Sequence, residues 1–215
     1  MKKFFKKLGG AIGLVNRFIL SILLIIFCWI LYIPFKLIFP IKVLGKKNLK
    51  NQKEGQLLAC NHYSNLDVWV LQVFFFKRVW LRKFLAKKEL GNNCFSRTFV
   101  GGLGAIFIDR NGLDLKAMKE VLAELKKGKN IIIFPEGTRN KTQSENLQDI
   151  KSGVVFFADR AKCNIVPMII KHRIKPFRKN EIIIDDGYKI TNPGKAGQIE
   201  ELNILNEKFQ NLRER

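Results

Sequence analysis

Two regimes of hydrophobic patterning divide the chain near residue 53. In the first, residues 18–35 run for eighteen positions without a charge, FILSILLIIFCWILYIPF. As a helix this stretch is just long enough to cross a hydrocarbon core. Pro34 and Pro40 break such a helix near its end. Lys2, Lys3, Lys6, Lys7 and Arg17 precede it, and Lys36, Lys42, Lys46, Lys47 and Lys50 follow. Basic flanks on both sides give no asymmetry to set an orientation. Two readings fit, a single span or a helical hairpin dipping into one leaflet. The stretch is too long for the apolar region of a signal peptide, and no small-residue cleavage site follows it.

Beyond residue 53 short β-branched and aliphatic runs alternate with helical patterns. The runs at 56–60, 82–86, 105–109, 130–134, 164–170 and 181–185 are expected strands. Between two of them Leu115, Met118, Leu122 and Leu125 recur at three and four residues, which predicts an amphipathic helix with Gly128 at its C-cap. Strand, helix and strand of this length form a right-handed unit with parallel strands. Ile199, Leu202, Leu205, Phe209 and Leu212 outline a last helix, opened by Pro193-Gly194. The expected class is α/β. Residues 1–53 form a basic, apolar, membrane-anchoring helical segment in this reading, and residues 54–215 the α/β domain.

Charge sharpens this division. The formal charge is +21 over 215 residues, which draws a chain toward polyanions, either nucleic acid or an anionic bilayer. Residues 1–53 hold eleven Lys/Arg and no acid, against 28 basic and 18 acidic residues in the rest. More than half of the excess therefore surrounds the most apolar segment, which points to a membrane and not to nucleic acid. Nucleic-acid modules interleave aromatics with cations on one face. Here aromatics cluster in apolar runs such as Phe74-Phe75-Phe76. Cys28, Cys60, Cys94 and Cys163 lie far apart, and with two histidines they offer no metal-ligand spacing.

Two constellations carry candidate chemistry. Asn61-His62-Tyr63-Ser64-Asn65-Leu66-Asp67 follows an expected strand. Ser64 and Asp67 have capping-box spacing, so a helix over 65–75 starts after Ser64. His62 then lies in the connecting loop, within reach of the Asp67 carboxylate. Such a contact fixes the imidazole tautomer, the arrangement of a His/Asp general base. Phe134-Pro135-Glu136-Gly137-Thr138-Arg139 follows another strand. Gly137 lets backbone approach a ligand, Thr138 offers a hydroxyl, and Arg139 is a fork for phosphate.

An N-H-x4-D block followed by F-P-E-G-T-R resembles the lysophosphatidic acid acyltransferase family, within the wider glycerolipid acyltransferases. Gly104–Arg110 resembles the family's second block, Ile165-Val166-Pro167-Met168 its fourth, and Phe84–Leu90 a basic segment between the first two. The resemblance covers about residues 55–190. It departs at 91–102, which lacks a proline often found there, and at Ile150-Lys151-Ser152-Gly153 and Asp186-Gly187-Tyr188.

The resemblance implies an α/β domain with a mixed, partly parallel sheet flanked by helices, an N-terminal membrane-embedded helical segment, and acyl transfer to the hydroxyl of 1-acyl-glycerol-3-phosphate, making phosphatidic acid. His62 would take the hydroxyl proton and Asp67 would orient His62. Glu136, Gly137, Thr138 and Arg139 would engage the glycerol-phosphate part of the acceptor, with Arg110 and Lys87 as further phosphate partners. The donor would be acyl-CoA or acyl carrier protein as co-substrate, with no cofactor and no metal. The partners would be a membrane lipid acceptor, the thioester donor and an anionic membrane surface, with no nucleic acid. The place would be the cytoplasmic face of the cell membrane. Another lysophospholipid or glycerol-3-phosphate as acceptor, and more remotely a non-catalytic basic membrane-binding module, are the competing readings.

Overall fold

A computed structural model of the chain describes residues 33–49, 55–74, 82–110, 112–140 and 150–215, together with Ile19, Ile26 and Ile30. Seven strands form one sheet: β1 (Ile41–Leu44), β2 (Leu57–Cys60), β3 (Arg82–Lys87), β4 (Ala105–Ile108), β5 (Asn130–Ile133), β6 (Ile165–Ile170) and β7 (Asn180–Ile184). Among the described residues, these helices accompany them: α1 (Asn65–Phe74), α2 (Cys94–Gly102), α3 (Leu115–Lys126), α4 (Gly153–Ala161) and α5 (Gly194–Glu214). The strand order is β1-β7-β6-β2-β5-β3-β4. All neighbouring pairs are parallel except β6 with β7. The sheet is mixed and partly parallel, as the resemblance implied. β4 and β5 run parallel but have β3 between them.

Central strands are apolar on both faces, as covered parallel sheets require. All four residues of β2 are buried. Leu57 and Ala59 belong to one core with Ile131, Ile133, Ile165 and Ile169, while Leu58 and Cys60 belong to the other with Ile132, Val166 and Met168. This is the period of two that a strand imposes. Fully burying each large aliphatic side chain is worth about 1.5–3 kcal/mol. Helices α3, α4 and α5 cover the first face through Val121, Phe157 and Phe209, and α1 covers the second through Val70 and Leu71.

β1 lies inside the segment assigned to the anchor. Its Ile41–Leu44 pair with Asn180–Ile183 of β7, so the sheet draws in residues ahead of position 53. Alternating Ile41 and Val43 against Lys42 is an edge pattern, inward apolar and outward charged. Residues 33–38 are helical, and the Phe35 and Phe39 rings, tilted at 41° with centroids 4.7 Å apart, pack against the second core. Among the described residues no helix is long and apolar enough to cross a membrane. Most of residues 18–35 lie outside the described residues, and with them the expectation of a span or hairpin.

Parallel β6, β2 and β5 end on one edge of the sheet, side by side. Three connections therefore meet there: 61–64, 134–140 and 171–174. The Asn61 side chain joins two of them, donating to the Ile170 carbonyl at 3.0 Å and accepting from the Ile170 N–H at 2.8 Å. The His62 carbonyl joins the third by accepting from the Asn140 N–H at 2.8 Å.

Candidate active site

The capping box forms as its spacing predicts. Ser64 Oγ accepts from the Leu66 N–H at 3.2 Å, and Asp67 Oδ2 accepts from the Ser64 N–H at 2.7 Å. Asp67 does more than cap. The same Oδ2 accepts from the Tyr63 N–H at 2.7 Å and lies 3.0 Å from His62 Nδ1. Its other oxygen takes the Ser64 hydroxyl at 3.1 Å. Four donors thus fix a side chain that is 0% exposed, whereas the His62 side chain keeps 15%. With Nδ1 committed to the carboxylate, Nε2 is the nitrogen left with a lone pair. The imidazole is held from the second side by Phe134, stacked at 4.1 Å and 22°.

The loop after β5 wraps this pair. Phe134 to Gly137 form a turn closed by the Gly137 N–H donating to the Phe134 carbonyl at 3.0 Å. Gly137 has φ of 71°, where a side chain would be strained. Glu136 turns inward, with only 4% of its surface exposed. Burial pushes its carboxyl up to about 7. The His62 backbone N–H, which donates to it, and the Arg213 charge oppose this rise, and the Asp67 charge adds to it. Glu136 is therefore a buried side chain held against the His62 segment by that backbone hydrogen bond.

Arg139 and Thr138 are exposed on the outer side of the turn. An Arg139 guanidinium nitrogen donates to Asn65 Oδ1 at 3.3 Å. Arg139 lines a cavity of about 530 Å³ with Tyr63, Ser64, Asn65, Arg173 and Ile174. The cavity thus begins one residue from His62 and carries two guanidinium groups. Arg173 went unnoticed in the sequence, since it lies 34 positions beyond Arg139 with no motif around it. Only the parallel pairing of β2 with β6 brings it here.

Arg110 stands elsewhere. Its guanidinium donates to the Gly137 carbonyl, and it lines a second cavity of about 480 Å³ with Gly137, Lys151, Leu113, Met118 and Phe156. The Lys151 N–H donates to the Pro135 carbonyl at 2.9 Å, and its side chain runs past Gly137. Arg110 and Lys151 hold the turn from this side, whereas Arg139 faces the cavity beside His62. Lys87 ends β3 opposite Ile108 and is exposed. It lines neither of these two cavities. Among the described residues no His, Cys, Asp and Glu cluster has the arrangement of a metal site. Cys60, buried in β2, has its thiol pushed up by burial and by the Asp67 and Glu136 charges, which suits a packed core residue and not a nucleophile.

The site thus combines a mixed α/β sheet, a carboxylate-bound histidine and an arginine-lined cavity whose first residue follows that histidine. The chain belongs to the acyltransferase family, whose model matches residues 40–171. It is 33% identical over 134 residues to a 1-acyl-sn-glycerol-3-phosphate acyltransferase of Helicobacter pylori, covering 60% of this chain and 53% of that one. A Saccharomyces cerevisiae protein of the same name is 30% identical over 135 residues, covering 61% of this chain and 43% of the yeast protein. The chain thus spans about half the length of these relatives. The crystal structure of the 1-acyl-sn-glycerophosphate (LPA) acyltransferase PlsC from Thermotoga maritima superposes with a TM-score of 0.65 at 20% identity, covering 93% of this chain and 82% of that one. That likeness shows the shared fold.

Proposed function

We propose that this protein transfers an acyl chain from an acyl thioester to the free hydroxyl of 1-acyl-glycerol-3-phosphate, giving phosphatidic acid. The observation that carries the reading is the His62–Asp67 contact at 3.0 Å, in the same loop as Tyr63, Ser64 and Asn65, which line a cavity with Arg139 and Arg173. A base for a hydroxyl and a pair of cations for a phosphate are thus carried by loops that meet at one end of the sheet. The names of the relatives point the same way.

In this reading His62 Nε2 takes the acceptor hydroxyl proton as the oxygen attacks the thioester carbonyl. Asp67 stabilises the imidazolium that forms. Collapse of the tetrahedral intermediate breaks the C–S bond, and the imidazolium returns its proton to the departing thiolate. Ester and thiol are the products, and the balance needs no cofactor. Arg139 holds the acceptor phosphate, with Thr138 beside it. Glu136 and Gly137 shape the turn, and Arg110 holds it through the Gly137 carbonyl. Lys87, at the end of β3, contributes positive charge. The donor is acyl-CoA or acyl carrier protein, and the reaction runs at the cytoplasmic face of the cell membrane, with residues 1–53 contributing the attachment.

Product analysis of the purified protein tests this. Offered 1-acyl-glycerol-3-phosphate and either thioester, it should form phosphatidic acid. His62→Ala should lower the rate about 10²–10⁴-fold with unchanged melting, since loss of a general base costs that much. Acylation of glycerol-3-phosphate or another lysophospholipid in place of this acceptor would move the substrate reading. Undiminished turnover of His62→Ala would overturn the mechanism.

A further inference from the structure

The connection between β6 and β7, residues 171–179, reads KHRIKPFRK, with five Lys/Arg and no acid. It is anchored at two points. Ile174 is buried in the second core at 5% exposure. Asn180, 8% exposed, donates to the carbonyls of Lys175 at 3.0 Å and Arg178 at 2.8 Å and accepts from the Lys175 N–H at 3.0 Å. Between these anchors the loop holds Phe177 outward, 78% exposed. Its φ of 56° lies in the left-handed region, which a bulky side chain rarely adopts. A large apolar ring fixed in solvent by a strained, braced backbone is an arrangement found at functional positions.

Its neighbours indicate what the ring meets. The Phe177 N–H donates to the Ile38 carbonyl at 2.6 Å. Ile38 ends the helical stretch 33–38, on which Ile33 and Leu37 are 66% and 73% exposed. Lys175, Arg178 and Lys179, all exposed, flank the ring. An exposed aromatic ring, tied through its backbone to a helical stretch with exposed aliphatic side chains and flanked in sequence by cations, fits the boundary between lipid headgroups and acyl chains. There the ring enters the apolar layer and the cations meet phosphates.

We propose that the β6–β7 loop is a membrane-docking element that seats Phe177 in an anionic bilayer surface. It is a contact additional to the one expected of the uncharged stretch 18–35, and it rests on the reading that the enzyme works at a membrane. The loop begins with Arg173 and Ile174, which line the cavity beside His62. Docking through Phe177 therefore holds that cavity close to the bilayer that supplies the acceptor.

Full-length Phe177→Trp, compared with the wild type and its native Trp29, Trp69 and Trp80, reports on position 177 by difference emission. On vesicles containing phosphatidylglycerol, brominated acyl chains should quench this added emission and iodide should lose access to it. Wild-type binding in the same vesicles tests the membrane reading itself. If the wild type binds while the added tryptophan stays open to iodide, the docking loop is refuted and the membrane reading stands. A second variant, Phe177→Asp, should lower the rate several-fold with acceptor in vesicles and leave the rate in neutral detergent micelles unchanged. An equal loss in micelles would assign Phe177 to the fold and overturn the proposal.

Discussion

Glu136 shows how one side chain takes its state from its surroundings. Its carboxyl is buried under the His62 segment and held up to about 7, against an ordinary value of 4.5. Between those two values folding takes up a proton, because the native group is protonated where the unfolded one is not. Stability therefore falls as pH rises from about 4.5 to about 7 and levels off above. At about 1.4 kcal/mol per pH unit the full effect is about 3 kcal/mol. Glu136→Gln, which keeps the shape of the neutral form, should flatten this part of the profile, so that its Tm overtakes the wild type toward neutral pH. Parallel melting curves of the two proteins across the window would rule out a titrating Glu136. The sequence showed Glu136 as one member of a motif, and the burial that sets its role comes from β2 and β5 lying side by side.

The turn after β5 is the element on which the site's geometry depends. Its Gly137 has φ of 71°, and an added Cβ would lie 2.9 Å from the Lys151 side chain. Lysine methylenes can move, so backbone strain is the larger cost, about 1–2 kcal/mol for a left-handed residue other than glycine. Gly137→Ala should lower Tm modestly and kcat/KM by about tenfold or more, because the carbonyl held by Arg110 shifts and Arg139 with it. Unchanged kcat/KM would mean that the turn tolerates the strain without moving the site.

Elements differed in how far the sequence revealed them. The start of α1 was legible because a capping box is local, needing only Ser64 and Asp67. α3 was legible as a helix, with Asp114 capping it and Gly128 at its end, and most of its inner face with it. Leu125 is buried, and Met118 and Leu122 pack against the same core. Leu115 is 56% exposed instead, and Ala117 and Val121, outside the leucine pattern, complete the buried stripe. Ile199 of α5 is likewise 72% exposed, and Glu201 is buried, accepting from the N–H groups of Thr191 and Asn192. α2 and α4 escaped notice. α2 carries Gly101 and Gly102, poor helix formers whose helical state is supported by packing against the sheet.

At the scale of the whole molecule, charge and apolar surface act together on where the protein resides. Removing residues 1–32 leaves β1 in place and takes away most of the uncharged stretch. The remaining chain keeps 34 Lys/Arg against 18 Asp/Glu. Vesicle binding should fall sharply, and what persists on anionic lipid should fade as salt is raised to about 0.5 M and the Debye length shrinks. Binding unaffected by the truncation would move the attachment wholly to the folded domain. The sequence by itself determined the α/β class, the spacing that lets Asp67 reach His62, and the turn at Gly137, because each follows from neighbours within a few residues. Only the tertiary structure decided that Arg173 joins Arg139, that Arg110 faces another cavity, that Glu136 lies beneath the histidine and that residues 41–44 close the sheet's edge. Those depend on which strands pair, and strand pairing joins residues far apart in the chain, where no local period records it.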